Sequence, residues 1–476
     1  MISKLKKGNK KMYWIVSIGV VVIAVGLFVG GKLLYGDKNL KRLGWLEAFD
    51  KLHASLVVNY PFTEWKDMDW DELYAQTAPA IEAAEANQDV EAYYLAIRQY
   101  TFSIPDGHVG LEGNDYGLRQ KAIGGGYGFA IIELEDGRVI THILLEDGAA
   151  SKAGMQWGAE IIEWNGFPVQ QALENTPIFW AMTSQPTAEG QHLQQLYYLV
   201  RAPIGTEASI LFRNPEDEAA QTILLTAEDD QLEALRRTGA LNVGKLSLIS
   251  SPIHSEMLSG EVGYISIDLF MPSLLCLNGG RAFNKALSEL MDQGAKGIII
   301  DVRKNVGGLD SWVPRMLSHF YEHPELYEYV SFYDDKTDAF QIKESETRII
   351  KPSEPYFNGP VVVLVDNATA SSAEGIPLAI QQLPNGYVAG IYGTDGSFAM
   401  GKFAAGKYHL PEGLAFNFYD GRAVDENLEI LVDADADGVG GIVPDIRVPL
   451  TEESVYDLYV EGQDIVLQAA LDKIQE

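Results

Sequence analysis

The chain has 476 residues, long enough for two or three domains, and its 47% hydrophobic and 10% aromatic content excludes disorder. A formal charge of −31, with no dense Lys/Arg cluster beyond the first residues, argues against nucleic acid as a partner, because phosphate binding needs a basic face. Cys276 is the sole cysteine, so no internal disulfide can form, and without CxxC or Cys/His spacing a structural zinc site has no support.

Lys4, Lys6, Lys7, Lys10 and Lys11 mark a basic segment, 1–11, ahead of an uncharged stretch at 12–31. That stretch is long enough to cross a bilayer as a helix, and the lysines place its start in the cytoplasm. No small-x-small cleavage site follows and no cysteine offers a lipid anchor, which favours a signal anchor over a cleaved signal peptide. The expected location is the cell membrane, single-pass, with everything from about Gly36 outside the cytoplasm.

A small helical region is predicted over 36–121. Helical apolar spacing runs through 39–58, 71–87 and 89–103, the second helix capped by Asp69 or Asp71. It ends at Ile104-Pro105-Asp106-Gly107-His108-Val109-Gly110, where Pro and Gly force a turn that exposes a histidine. A lone histidine is usually structural, but His108 lies in a turn rather than on an apolar face, which keeps it as a candidate base.

From about Ala122 the pattern changes to short strands and glycine turns, including Gly124-Gly125-Gly126-Tyr127-Gly128-Phe129, Ala149 to Met155 and Gly158 to Gly166. Residues 122–228 resemble a PDZ domain. The resemblance implies that the backbone at Gly126, Tyr127, Gly128 and Phe129 receives a peptide's terminal carboxylate while the peptide adds as a strand. The stretch from Phe167 to Gly205 is longer than a compact PDZ domain needs and predicts an inserted helical piece around 193–200.

Residues 229–476 read as an α/β core. Gly263 to Ile267 predicts a strand, 282–291 a helix, and Gly297 to Arg303 a second strand that delivers Lys304-Asn305-Val306-Gly307-Gly308 at its carboxyl end, where ligands of such sheets lie. Gly307 or Gly308 could bring a backbone N–H close to a substrate, although a tight turn alone explains both. Val361 to Val365 predicts a further buried strand, and the turn after it, Thr369-Ala370-Ser371-Ser372-Ala373-Glu374, leads into a helix through Ile376 and Ile380. A hydroxyl there would sit beside N–H groups without intrahelical partners, which favours a nucleophile and its oxyanion; the bland reading is a helix cap.

Together, Gly263-Tyr264-Ile265, Asp301 to Gly308, Thr369 to Glu374 and Gly441-Ile442-Val443-Pro444-Asp445-Ile446 resemble the C-terminal processing, or tail-specific, serine proteases of peptidase family S41. The resemblance implies a core of the crotonase-like/ClpP type, Ser371 as nucleophile, and the N–H groups of Gly307 or Gly308 and of Ser372 as oxyanion hole. One branch of that family uses a lysine where this sequence has Gly396; the branch similar to the tricorn core uses a histidine in an Asp-x-His turn, which Asp106-Gly107-His108 matches. His108 is therefore the expected base, with Lys402 as the alternative. The acid that the histidine branch carries shortly before the final Pro-Asp is replaced by Gly438, leaving Glu426, Glu429 and Asp437 as nearby acids, of which Glu426 and Glu429 are candidate third members.

Asp433-Ala434-Asp435-Ala436-Asp437-Gly438 opens like a calcium loop, but Pro444 stands where an EF-hand needs its bidentate glutamate, leaving only a weak site at Asp433, Asp435 and Asp437 to consider. No metal or organic cofactor is required by the expected chemistry. The resulting expectation is a membrane-anchored serine endopeptidase acting on polypeptides or their C-termini; its alternative is a catalytically silent PDZ-bearing scaffold that keeps the protease fold.

Overall fold

A computed structural model describes residues 38–241, 249–401 and 406–476. The predicted anchor at 12–31 and the alternative base Lys402 lie outside the described residues. Among the described residues no helix is long and apolar enough to cross a membrane.

Three helices open the structure: α1 (Trp45–Asn59), α2 (Trp70–Asn87) and α3 (Val90–Phe102). Asp69 caps α2 by accepting the Glu72 N–H at 2.8 Å, and Asp89 caps α3 through Ala92 at 3.0 Å, each satisfying an end donor that the helix itself cannot. The first helix starts six residues later than its apolar spacing suggests, because Lys38–Asn39 pairs in parallel with Gly406–His409. The helices share one core with the C-terminal half of the chain: Phe49, Tyr100 and Ile104 pack with Leu410, Leu414 and Phe416. Strand β1 (Gly110–Glu112), directly after the His108 turn, pairs antiparallel with Ala415–Phe418 and fixes that turn against the later chain.

Residues 129–226 form an antiparallel sheet with β2 (Phe129–Glu133) at one edge, then β3 (Val139–Leu144), β4 (Glu160–Trp164), β5 (Glu207–Arg213) and β6 (Gln221–Thr226). The inserted helix, α4 (Ala188–Leu199), lies alongside β2 and buries Leu193 and Leu196 in the same core as Phe129 and Ile131. It starts five residues earlier than the sequence pattern marks, capped by the Thr187 hydroxyl on the Gly190 N–H at 3.1 Å.

The core sheet runs β7 (Ile253–Leu258), β8 (Val262–Ile267), β9 (Gly297–Asp301), β10 (Val361–Leu364), β11 (Gly386–Gly390) and β12 (Ile446–Arg447). Only the β7–β8 pair is antiparallel. Side chains alternate across it with period two. Ile298, Ile300, Val361 and Val363 face α5 (Gly279–Asp292) through Phe283 and Leu287, while Ile299, Val362 and Leu364 face α6 (Ile465–Gln475) through Val466 and Ala470. With both faces covered, these strands must be apolar at every position, which is why they read as continuous runs; each fully buried Val or Ile contributes roughly 1.5–3 kcal/mol.

Candidate active site

The carboxyl ends of β9 and β10 carry the two turns that the sequence singles out, and polar side chains lock them together. Asn305 is fully buried; its amide donates to the Ile267 carbonyl at 2.7 Å and its Oδ1 accepts the Gly307 N–H at 2.9 Å. From the second turn, the Thr369 hydroxyl donates to the Val302 carbonyl at 3.0 Å and the Ala370 N–H donates to the Asn305 carbonyl at 3.0 Å. Ser371 therefore emerges from a turn that is bonded to the neighbouring strand's turn at two places.

Ser371 has φ +57°, a left-handed conformation costing a non-glycine residue roughly 1–3 kcal/mol, and such strain persists only where the surroundings hold it. Here its N–H donates both to the Ser397 carbonyl at 2.8 Å and to Glu374 Oε2 at 3.0 Å. Gly307 permits the approach of the two turns: a Cβ there would lie 2.6 Å from Ser371 Cβ, and its own φ is +92°. Neither serine acts as the helix cap. Ser372 is buried and turns its hydroxyl to the Gly308 carbonyl at 3.1 Å, and the helix beyond, Gly375–Ile380, has no side-chain cap. That helix has only six residues, so any anion at Ser371 would meet individual N–H groups rather than a long helix dipole.

The oxyanion candidates separate on this geometry. The Gly307 N–H is already spent on Asn305, which takes it out of the expected set. The N–H groups of Gly308 and Ser372 donate to no described group, and Gly308 is exposed.

His108 stands in the expected turn, but its side chain is only 10% accessible rather than exposed. The turn is held by Asp106, whose Oδ1 accepts the His108 N–H at 2.8 Å and whose Oδ2 accepts the Tyr60 hydroxyl at 2.8 Å. His108 Nδ1 lies 3.7 Å from Asp106 Oδ1, too far for a hydrogen bond, and is buried without a partner; the ring meets Tyr419 edge-on at 4.6 Å. Burial lowers the imidazole's pKa from 6.5, Asp106 partly offsets this, and Lys66 lowers it further. The link to Ser371 passes through Ser397. Its hydroxyl accepts the Gly107 N–H at 3.0 Å while its carbonyl accepts the Ser371 N–H, so the two turns, far apart in sequence, grip one residue. Gly107 is required there because a Cβ would lie 2.7 Å from both Ser397 Oγ and Asp395 Oδ2.

Several residues here carry no signal that sequence spacing could have revealed. Glu374 is fully buried; besides Ser371 its carboxylate accepts Gly396 N–H at 2.9 Å, Ser397 N–H at 3.2 Å and the Thr394 hydroxyl at 2.5 Å. Burial and the nearby Asp395 push its pKa well up, against the hydrogen bonds of Thr394 and Gly396. Asp395 is pushed up to about 6 by burial, against its hydrogen bond with Ser397. Asp433 is buried, accepts Phe398 N–H at 3.0 Å on one oxygen and has no partner on the other. Lys66, also buried, donates to the Ala434 carbonyl at 2.6 Å.

Other expectations are corrected. Glu426 and Glu429 are exposed and make no contact with His108; the carboxylate nearest to His108 Nδ1 is that of Asp106. Asp433, Asp435 and Asp437 do not gather: Asp433 faces Phe398, whereas Asp435 accepts N–H groups of Asp437 and Val439 within its own loop. Among the described residues no cluster of three His, Cys, Asp or Glu could hold a metal.

Ahead of the antiparallel sheet, Gly125–Gly126 is the middle strand of a separate three-stranded sheet, in which Gly126 pairs with Arg201 on one side and Glu228 on the other, and Arg201 and Asp230 form a buried bidentate pair at 2.8 Å. Tyr127, Gly128 and Phe129 lead from there into β2; Gly128, φ +87°, lets the chain pass Gly148, whose Cα would lie 2.8 Å from a Cβ at that position.

Residues 261–448 match the sequence profile of peptidase family S41. That segment, which spans the core sheet from β8 to β12, is similar to the family. Carboxy-terminal processing protease CtpA of Bacillus subtilis is 23% identical over 260 residues, 54% of this chain and 44% of that protein. The carboxyl-terminal-processing protease of a Picosynechococcus species is 27% identical over 293 residues, 60% of this chain and 58% of its own. The chain thus spans about half the length of the curated relatives it matches. Beyond the S41 core, the fold is similar to that of mature CPAF, with a TM-score of 0.61 at 15% identity over 91% of this chain and 98% of the other. A putative peptidase from Parabacteroides merdae gives 0.50 at 16% identity over 90% and 96%.

Proposed function

We propose that this S41 chain is a serine endopeptidase acting on polypeptides or their C-termini, held at the cell membrane by residues 12–31 with its catalytic part outside the cytoplasm. The observation that carries the reading is the double grip of Ser397 on Ser371 and on the His108 turn. In the proposed reaction His108 takes the Ser371 hydroxyl proton as Oγ attacks the scissile carbonyl. Nδ1 lies on the Asp106 side, leaving Nε2 for this task. The N–H groups of Gly308 and Ser372 receive the oxyanion. Collapse breaks the C–N bond, the amine leaves with the proton from His108, and water then releases the acyl group by the same path. Asp106 is proposed as the carboxylate that steadies His108.

The proposed division is a helical region at 36–121, a PDZ-like domain at 122–228 and the protease core at 229–476. Supporting the middle part are the edge strand β2, the glycine-rich Gly126 to Phe129 before it and α4 alongside, an arrangement that can accept a peptide as an added strand.

Treating the purified full chain with a fluorophosphonate probe tests the chemistry. Labelling at Ser371 should vanish in His108→Ala and persist in Lys402→Ala. Labelling that survives His108→Ala but not Lys402→Ala transfers the base to Lys402, and no labelling or cleavage in the parent chain leaves a scaffold.

A further inference from the structure

Beside the candidate oxyanion turn the protein exposes large apolar side chains in two adjoining loops. Met271, Leu274, Leu275 and Leu277 come from the connection between β8 and α5, and Val306 and Leu309 flank Gly307-Gly308. The loops are joined as a short parallel ladder: Phe270 N–H donates to the Gly307 carbonyl at 2.9 Å and Leu309 N–H to the Phe270 carbonyl at 2.7 Å. Gly308 sits between these bonds, and a Cβ placed on it would lie 3.2 Å from Met271 Cγ, so Met271 lies against the turn itself.

The exposed leucines do not belong to a loose loop. Ser273 and Cys276, both buried, exchange backbone hydrogen bonds of 2.9 and 3.2 Å, and the Ser273 hydroxyl accepts the Cys276 N–H at 3.0 Å. This closes a tight turn with Leu274 and Leu275 at its tip, Leu275 being 77% exposed. Turn tips are ordinarily Gly, Asn, Asp or Ser, and contiguous apolar surface of this kind marks an interaction site.

We infer that the Met271–Leu277 loop and the Val306/Leu309 rim form the subsite for a large apolar side chain on the substrate residue that supplies the scissile carbonyl. A carbonyl oxygen at the Gly308 N–H leaves that residue's Cβ two bonds from the reacting carbon, and its side chain then falls over Met271, Val306 and Leu309. Leu274 and Leu275 extend the same surface along the peptide. The occupant is an extended polypeptide, because the surface is continuous with the turn that would hold its carbonyl. The inference rests on the protease reading for the placement of that carbonyl.

The test uses the detergent-solubilised full chain. Fluorescent hexapeptides differing only at one central residue, Leu or Asp, are titrated against Ser371→Ala, with and without Leu275→Asp or Met271→Asp. The Leu peptide should bind at least tenfold more tightly than the Asp peptide, and either shelf substitution should reduce that ratio at least fivefold with the thermal melt unchanged. In the Ser371-containing chain the same substitutions should raise KM for the Leu peptide more than they lower kcat. Equal binding of the two peptides, or a ratio indifferent to both substitutions, overturns the subsite. So does sedimentation showing that Leu275→Asp only dissociates a dimer, which would make the shelf a contact between copies. Failure of Ser371 to label with the fluorophosphonate removes the protease reading separately, since the binding comparison does not use catalysis.

Discussion

The carbonyl of Ser397 accepts the N–H of Ser371 at 2.8 Å, and the hydroxyl of the same Ser397 accepts the N–H of Gly107. Ser397 is buried, so the two bonds are shielded from competing water. Ser397→Ala keeps the backbone bond and removes the hydroxyl, leaving Gly107 N–H unpaired at about 1–3 kcal/mol. The His108 turn should then loosen while Ser371 stays in place. The expected outcome is a 10- to 100-fold lower kcat/KM with little change in thermal melting beyond that cost; full activity in Ser397→Ala would remove the clamp from the mechanism.

Gly307→Ala should be more damaging than its size suggests. The new Cβ would lie 2.6 Å from Ser371 Cβ and 2.9 Å from both the Ala370 carbonyl oxygen and the Ser372 nitrogen, at a φ of +92° that L residues rarely adopt. A loss of about 2–4 kcal/mol in urea unfolding and near-complete loss of probe labelling are expected. An alanine variant that labels at the parent rate would show that the two turns need not meet so closely.

Glu374→Gln replaces an acceptor that serves three N–H groups and one hydroxyl with a side chain that has one oxygen and an NH2 facing donors. Destabilisation of about 3 kcal/mol is expected, measured by denaturant midpoint. A variant as stable as the parent would mean that the carboxyl is held differently.

Asp106→Asn keeps the shape that holds the His108 N–H but removes the negative charge beside Nδ1. Because Asp106 raises a pKa that burial and Lys66 lower, the variant's imidazole should titrate still lower. In the parent the acid limb of kcat/KM should fall below pH 6.5, and in the variant it should move to lower pH with a reduced plateau, as seen in a pH–rate profile. An unmoved limb would show that the limb does not report His108, or that Asp106 does not act on it.

Stability should depend on pH through Asp395. Its carboxyl is pushed from an ordinary 3.8 up to about 6 in the folded protein, so the neutral acid favours folding below the unfolded value and that contribution is lost as pH rises through about 6. Asp433 and Glu374 shift in the same direction. Asp395→Asn should therefore gain melting temperature relative to the parent between pH 5 and pH 8. A constant difference over that interval would refute the assignment.

Much of this was legible because it is local. The strands at 297–301 and 361–364 announce themselves by unbroken β-branched runs, and the Asp69 cap acts on an N–H a few residues away. Ser371, the Gly307-Gly308 turn and the Asp106-Gly107-His108 turn could each be marked from residue type and neighbours alone.

What only the tertiary structure decided is which of these groups face one another. Distances in sequence carry no record of burial or direction, so the exposed Glu426 and Glu429 looked as suitable as any acid, while Asp106, two residues from His108, passed as part of a turn. Gly307 and Gly308 are equivalent in sequence, and only the Asn305 side chain, reaching between two strands, engages one N–H and leaves the other free. Sequence fixes the chemistry each side chain can perform and the local backbone it prefers. Packing of distant segments decides which charges lose their water and which donors lose their freedom, and those two effects bring the Ser371 turn and the His108 turn onto one shared residue, Ser397.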